Sequence, residues 1–168
     1  MLRALADEAT ALIQWHDAAA LARVDAALVA DWRNEAIALV ADAEWKTQLV
    51  GAAALVRGAH GAYDPAAADA LWRAIDGTSW VAPQLVAAAF VLDERFAAHA
   101  EERLLDVARR SPKTIGALLR AYHRSLDARL PVVARLGRHD RTMATEEARV
   151  GIRGVDAWLD HLTTNGRG

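Results

Sequence analysis

The chain has 168 residues, a formal net charge of −2 and no cysteine, which suits one domain with a real core and excludes disulfides, thiol chemistry and zinc–thiolate sites. Hydrophobic residues make up 54% and charged residues 25%, an ordinary globular balance, and no stretch approaches the ~20 apolar residues of a membrane span. The opening residues Met1 to Glu8 turn acidic before a hydrophobic leader could form, so a cytoplasmic protein is expected.

Alanine runs such as Ala18–Ala20, Ala52–Ala54, Ala66–Ala68 and Ala87–Ala89, with no β-branched runs, predict an all-α fold, because alanine is the best helix former. Apolar residues recur at helical spacing along the chain. Leu2, Leu5, Ala9 and Leu12 line a first helix, then Leu21, Val24 and Leu28 a second, and Ala36, Ile37 and Val40 a third. Leu49, Ala52, Ala53 and Val56 come next, followed by Ala68, Leu71, Trp72 and Ile75, and by Leu85, Val86, Ala89 and Leu92. Phe96, Ala100, Leu104 and Val107 mark another, Ile115, Leu118, Leu119 and Tyr122 another, and Ile152, Val155, Trp158, Leu159 and Leu162 the last. Asp64-Pro65 and Ser111-Pro112 are helix starts, a capping side chain directly before a proline at the first helical position. Asp31, Asp93 and Asp127 fit the same capping role. Asp76-Gly77 and Arg57-Gly58 read as helix ends with a left-handed glycine. Nine or ten helices joined by short loops are expected, in a single domain spanning residues 1–168.

One phrase occurs twice. Trp45-Lys46-Thr47-Gln48-Leu49-Val50-Gly51-Ala52-Ala53-Ala54 returns as Trp80-Val81-Ala82-Pro83-Gln84-Leu85-Val86-Ala87-Ala88-Ala89, with one residue inserted after the tryptophan. A fainter third copy is Ser111-Pro112-Lys113-Thr114-Ile115-Gly116-Ala117. The offsets, 36 from Val50 to Val86 and 29 from Val86 to Ile115, lie in the range of helical repeat units. Over residues 45–126 this alternation of Trp-led and Asp-led helices resembles helical-hairpin repeats of the HEAT/armadillo class. The repeats are shorter than that class usually has, and no tetratricopeptide pattern occurs. The resemblance implies a short right-handed α-solenoid, closed by atypical first and last helices, that binds protein rather than catalysing a reaction.

Charge is unevenly spread. Residues 1–84 carry six basic and eleven acidic side chains, and residues 85–168 carry fourteen and eleven. Eighteen of the twenty basic residues are Arg, which, with the alanine excess, is the bias of a GC-rich genome. The basic excess peaks between Arg109 and Arg141. Lys113, Arg120 and Arg124 share one polar helix face, and Arg129, Arg135, Arg138 and Arg141 continue it, predicting a cationic wall for an anionic partner. The six tryptophans are expected mainly in the core; Trp32 and Trp15, with polar neighbours, are the expected exceptions and binding anchors.

Other chemistry is weakly signalled. His123, His139-Asp140 and Asp156 can be placed in the order used by all-α metal-dependent phosphohydrolases, but Arg138 and Arg141 flank the dipeptide and would repel a cation. His99-x-x-Glu102 has ligand spacing without the Glu-x-x-His pairs a carboxylate-bridged bundle needs. Gly58-Ala59-His60-Gly61 lacks the strand and Gly-Lys-Ser/Thr ending of a phosphate loop. Gly151 and Gly154 fall inside the last helix, as close-packing positions. No cofactor, metal or catalytic set is therefore expected. The expected function is non-enzymatic protein binding: Lys113, Arg120, Arg124, Arg129, Arg135, Arg138 and Trp32 would contact an acidic partner, as in a toxin's immunity inhibitor or an adaptor. The alternative is nucleic-acid binding through the Arg109–Arg141 stripe, in the architecture of solenoid DNA-repair glycosylases, against which stands the acidic overall balance.

Overall fold

The computed structural model describes residues 1–59, 62–77, 79–106, 109–125 and 145–165. Among these residues there is no strand, and nine helical segments follow one another. A segment wound as a 3-10 helix, Leu2–Leu12, comes first. It is followed by α1 (Ala18–Ala27), α2 (Trp32–Val40), α3 (Trp45–Ala59), α4 (Pro65–Asp76) and α5 (Ala82–Leu92). Then come α6 (Phe96–Leu105), α7 (Pro112–Ser125) and α8 (Glu146–Asn165). No helix among the described residues is long and apolar enough to cross a membrane.

The predicted starts at Asp64 and Ser111 hold. The Asp64 carboxylate accepts the Ala66 and Ala67 N–H groups at 3.0 and 3.2 Å, and Ser111 Oγ accepts Thr114 N–H at 3.2 Å, satisfying donors that the first helical turn leaves free. Other boundary expectations need correction. Asp31 precedes α2 in a left-handed conformation (φ 63°) and makes no capping bond with its side chain. Helix α3 does not end at Gly58 but runs through it to Ala59. The glycine is there because the six-membered ring of Trp32 lies against it, where a Cβ would collide. Gly77 does end α4, but as extended backbone (φ −73°, ψ −174°) rather than in the left-handed region. Asp93 does not cap α6, whose preceding residue is Arg95; its role is described below. Asp127 lies outside the described residues.

Helices α3, α5 and α7, each begun by a copy of the repeated phrase, stand side by side. Helices α2 and α4 pack on α3 and α5 respectively, and α6 packs on α7. A bare two-layer stack would leave one face of each inner helix in water. Here Thr47–Val56 of α3 and Ala82–Ala89 of α5 are buried without interruption, and a helix buried all round needs a cover on every side. The opening segment lies on α3, and α8 lies on α5 and α7.

The two covers also meet each other. Trp15 is 2% exposed and packs on Trp158 with ring centroids 4.3 Å apart. Trp158 Nε1–H donates to the Leu12 and Ile13 carbonyls at 3.0 and 3.1 Å, and Gln84 Nε2 donates to the Ile13 carbonyl at 3.1 Å. Trp15 is thus a core residue in left-handed backbone (φ 56°), not an exposed anchor. Small residues bring α8 onto its neighbours: Gly151 sits on the Lys113 carbonyl, Gly116 on Ala148, and Gly154 on Pro83. The paired glycines of α8 are packing positions, as their place in the helical pattern implied.

Candidate functional site

The described part of the basic stripe is not an open cationic wall. Arg120 Nε donates to both oxygens of Asp156 at 2.8 and 3.1 Å. Arg124 reaches Asp156 at 3.0 Å and Asp160 at 2.6 Å. Each ladder step links residues 36 apart in sequence, so α7 and α8 run in the same direction with complementary i, i+4 rows facing each other. Such half-exposed pairs contribute little stability each, but they spend the positive charge inside the fold. Lys113 is elsewhere, and Arg129, Arg135 and Arg138 lie outside the described residues, as do Arg141, His139 and Asp140. Trp32 is half-buried, wedged on Gly58, and borders a shallow hollow with Arg33 and Asp64, where those two residues form a two-pronged ion pair.

The exposed tryptophan is Trp80, at 58%. It stands just before α5, at the position equivalent to Trp45 at the start of α3, and the two indoles touch with centroids 5.1 Å apart. Lys113 Nζ lies 4.5 Å from the Trp80 ring centroid and donates to the Trp80 carbonyl at 2.5 Å, so the backbone under the ring is clamped as well as its face. Burial lowers the Lys113 pKa, and Glu147 acts in the opposite sense. Trp80 separates two hollows. The larger, of about 790 Å³, is lined by Val40, Glu44, Trp45, Gln48, Arg73 and Ser79 among others. The smaller, of about 150 Å³, lies between Ile13, Pro83, Lys113, Val150 and Gly154. The floor of the larger one is fixed: Gln48 Nε2 donates to the Asp42 carbonyl at 2.7 Å and Gln48 Oε1 accepts from Ser79 Oγ at 2.5 Å. Sequence reasoning missed Trp80 because its neighbours Val81 and Ala82 are apolar; the signal available was its place in the repeat, one insertion away from the helix that Trp45 begins.

A second feature was also missed. Asp93, with its side chain fully buried, accepts Trp72 Nε1–H at 2.7 Å, His99 Nδ1 at 2.6 Å and Arg95 N–H at 2.9 Å. An ionised carboxylate can only accept, so His99 carries its proton on Nδ1. Burial pushes the Asp93 carboxyl up, but the bonds from Trp72, His99 and Arg95 outweigh it and hold the group below the ordinary carboxylate value. Its stabilising effect is therefore fully present above that ordinary value and is lost as pH falls below it and through the lower value of the folded state. Asp93→Asn is expected to cost about 2 kcal/mol or more at neutral pH. The gap between variant and wild type should close as the melt is repeated below about pH 4. A pH-independent gap would show that the carboxylate charge is not what holds this site. Arg103 completes the arrangement, stacked 4.3 Å over Trp72 and paired, with Arg110, to Asp76 at 2.8 and 2.9 Å. The cluster thus joins α4 to α6.

Among the described residues no three His, Asp or Glu side chains gather as metal ligands. Asp156, the described carboxylate of the phosphohydrolase alternative, is taken up by Arg120 and Arg124. No protein-family model, curated protein or solved structure matches this chain.

Proposed function

We propose that the chain is a non-enzymatic protein-binding module, an adaptor or an immunity-type inhibitor of a bacterial toxin in the cytosol, and that Trp80 is its anchor. The carrying observation is the exposure of this one indole on a rigid base. Tryptophan is the residue type most enriched at binding hot spots, and its value there depends on being held in place before the partner arrives. Trp45 and Lys113 hold it so. In this reading the fold is a short solenoid-type stack of hairpins whose first and last helices close over the inner row. The side-by-side order of α3, α5 and α7, each introduced by the same phrase, supports that lineage.

The test is calorimetric titration of the full chain with the product of the adjacent gene, together with growth protection when the two are co-expressed. Wild type should bind, and Trp80→Ala should weaken binding by about thirtyfold, the effect of a hot spot of 2 kcal/mol, with an unchanged melting temperature. Equal binding by the variant would remove Trp80 from the interface. Absence of both binding and protection would remove the immunity reading.

A further inference from the structure

Most of the described arginines are paired with a carboxylate: Arg3 with Asp42, Arg23 with Glu8, Arg33 with Asp64 and Arg57 with Asp25, besides the pairs on Asp76, Glu146, Asp156 and Asp160. Five cations make no ion pair with another described residue: Lys46, Arg73, Arg95, Arg109 and Lys113. Arg95 and Arg109 flank α6. Of the other three, two lie over the touching indoles and the third lines the hollow beside them, its Nε donating to the Asp69 carbonyl at 3.2 Å. Lys46 Nζ is 6.0 Å from the Trp45 ring centroid, Arg73 forms part of the larger hollow's wall, and Lys113 covers Trp80. Lys46 and Lys113 are the only lysines in the chain. The acids facing this group are Glu44, in the same wall, and Glu147, beside Lys113. Arg153 borders the smaller hollow and shares one carboxylate, Glu146, with Arg149. The rim of the Trp80 site keeps a net positive charge while most other described arginines are spent on internal pairs.

We infer that the Trp80 ridge binds an acidic, apolar-bearing peptide segment in extended conformation. The inference rests on the protein-binding reading above and names the chemistry of the partner's contact. The charge excess selects Asp and Glu on the partner, and the indole pair selects apolar or aromatic side chains beside them. The ridge shape selects an extended chain. Trp80 projects between hollows of about 790 and 150 Å³, and a flat partner surface resting on the indole would leave both hollows wet. A strand crossing the indole turns successive side chains to opposite sides, so one set enters the larger hollow and the other the smaller, with carboxylates meeting Arg73 and Lys46 on one side and Lys113 on the other.

A displayed library of random short peptides, selected on the full chain and counter-selected on its Trp80→Ala variant, tests this. Recovered peptides should be rich in Asp and Glu interleaved with Leu, Phe or Trp. Their affinity, read by fluorescence polarisation of labelled copies, should fall at least about tenfold in Trp80→Ala, and as much in the Arg73→Glu, Lys113→Glu double variant. Lys46→Glu alone, half-buried at the rim and over one ring only, should weaken binding less and leave the melting curve nearly unmoved. Recovery of basic or uncharged peptides, equal retention by Trp80→Ala, or no enrichment would each overturn the inference. So would sedimentation showing that the wild type self-associates and Trp80→Ala does not, because the occupant would then be a second copy. If the adjacent gene's product needs Trp80 while no acidic peptide is recovered, only this inference fails and the protein-binding reading stands.

Discussion

Ala88→Asp is expected to destabilise the protein by about 4 kcal/mol. For a domain of this size each kcal/mol moves the midpoint by roughly 2–4 °C, so the melting temperature should drop by about 8–16 °C. Ala88 is 0% exposed, at the middle of a helix packed against α3, α4, α7 and α8. The N–H groups around it are already committed to helical hydrogen bonds, and the nearest cations are on the surface. A carboxylate there must stay neutral or force the helices apart. Its pKa in the folded state would therefore be raised, which gives the effect a sign in pH: the penalty should be smaller in acid and grow as pH rises through the ordinary carboxylate range. A variant as stable as wild type at neutral pH would mean that α5 is not enclosed.

Gly151→Ala should destabilise by about 2–3 kcal/mol, against the direction of helix propensity. In an exposed helix the same change stabilises by about 1 kcal/mol, so the sign of the measurement decides between propensity and packing. Packing wins because an added Cβ would collide with the Lys113 carbonyl oxygen and come within 2.9 Å of the Lys113 carbonyl carbon. Backbone cannot swing aside as a side chain can. The reciprocal contact, Gly116 on Ala148, means that α7 and α8 touch at two points and would have to separate along that length. Gly58→Ala is the internal control. There the obstacle is the outer edge of the Trp32 ring, a half-buried side chain rather than backbone, so the cost should be smaller and accompanied by a change in tryptophan fluorescence. Equal losses for the two substitutions would contradict this account of α7 and α8.

Much of this fold is legible in the residues, and what is not has identifiable causes. Helical period, Asp64-Pro65 and Ser111-Pro112 are local signals, and the helices they mark are where they predict. The repeated phrase places the three neighbours α3, α5 and α7 because repetition encodes equivalent packing. Gly58 was misread as a helix end because a glycine needed for a close approach and one needed for a left-handed turn look identical in one dimension. Asp93 resembles a cap until Trp72 and His99, 21 and 6 residues away, are brought onto it. The basic stripe shows the limit best. Arg120 and Arg124 have the same i, i+4 spacing as Asp156 and Asp160, but only the adjacency of α7 and α8 turns two charged rows into a neutral seam. Trp80 was hidden for the opposite reason: its flanks are apolar, and nothing local says that its ring faces outward.

The junction of Trp158 with Leu12 and Ile13 bears on how the chain is made. In a one-dimensional array each unit is complete once its neighbour has formed, so the molecule can mature from its N-terminus as it leaves the ribosome. Here α5 has emerged long before α8, which supplies one of its walls, and Trp15 waits for a partner 143 positions later. A nascent chain holding residues 1–125 would therefore carry the apolar side of α5 uncovered. It should engage chaperones or aggregate until α8 has emerged, and the folded chain should unfold in one cooperative step rather than fraying unit by unit.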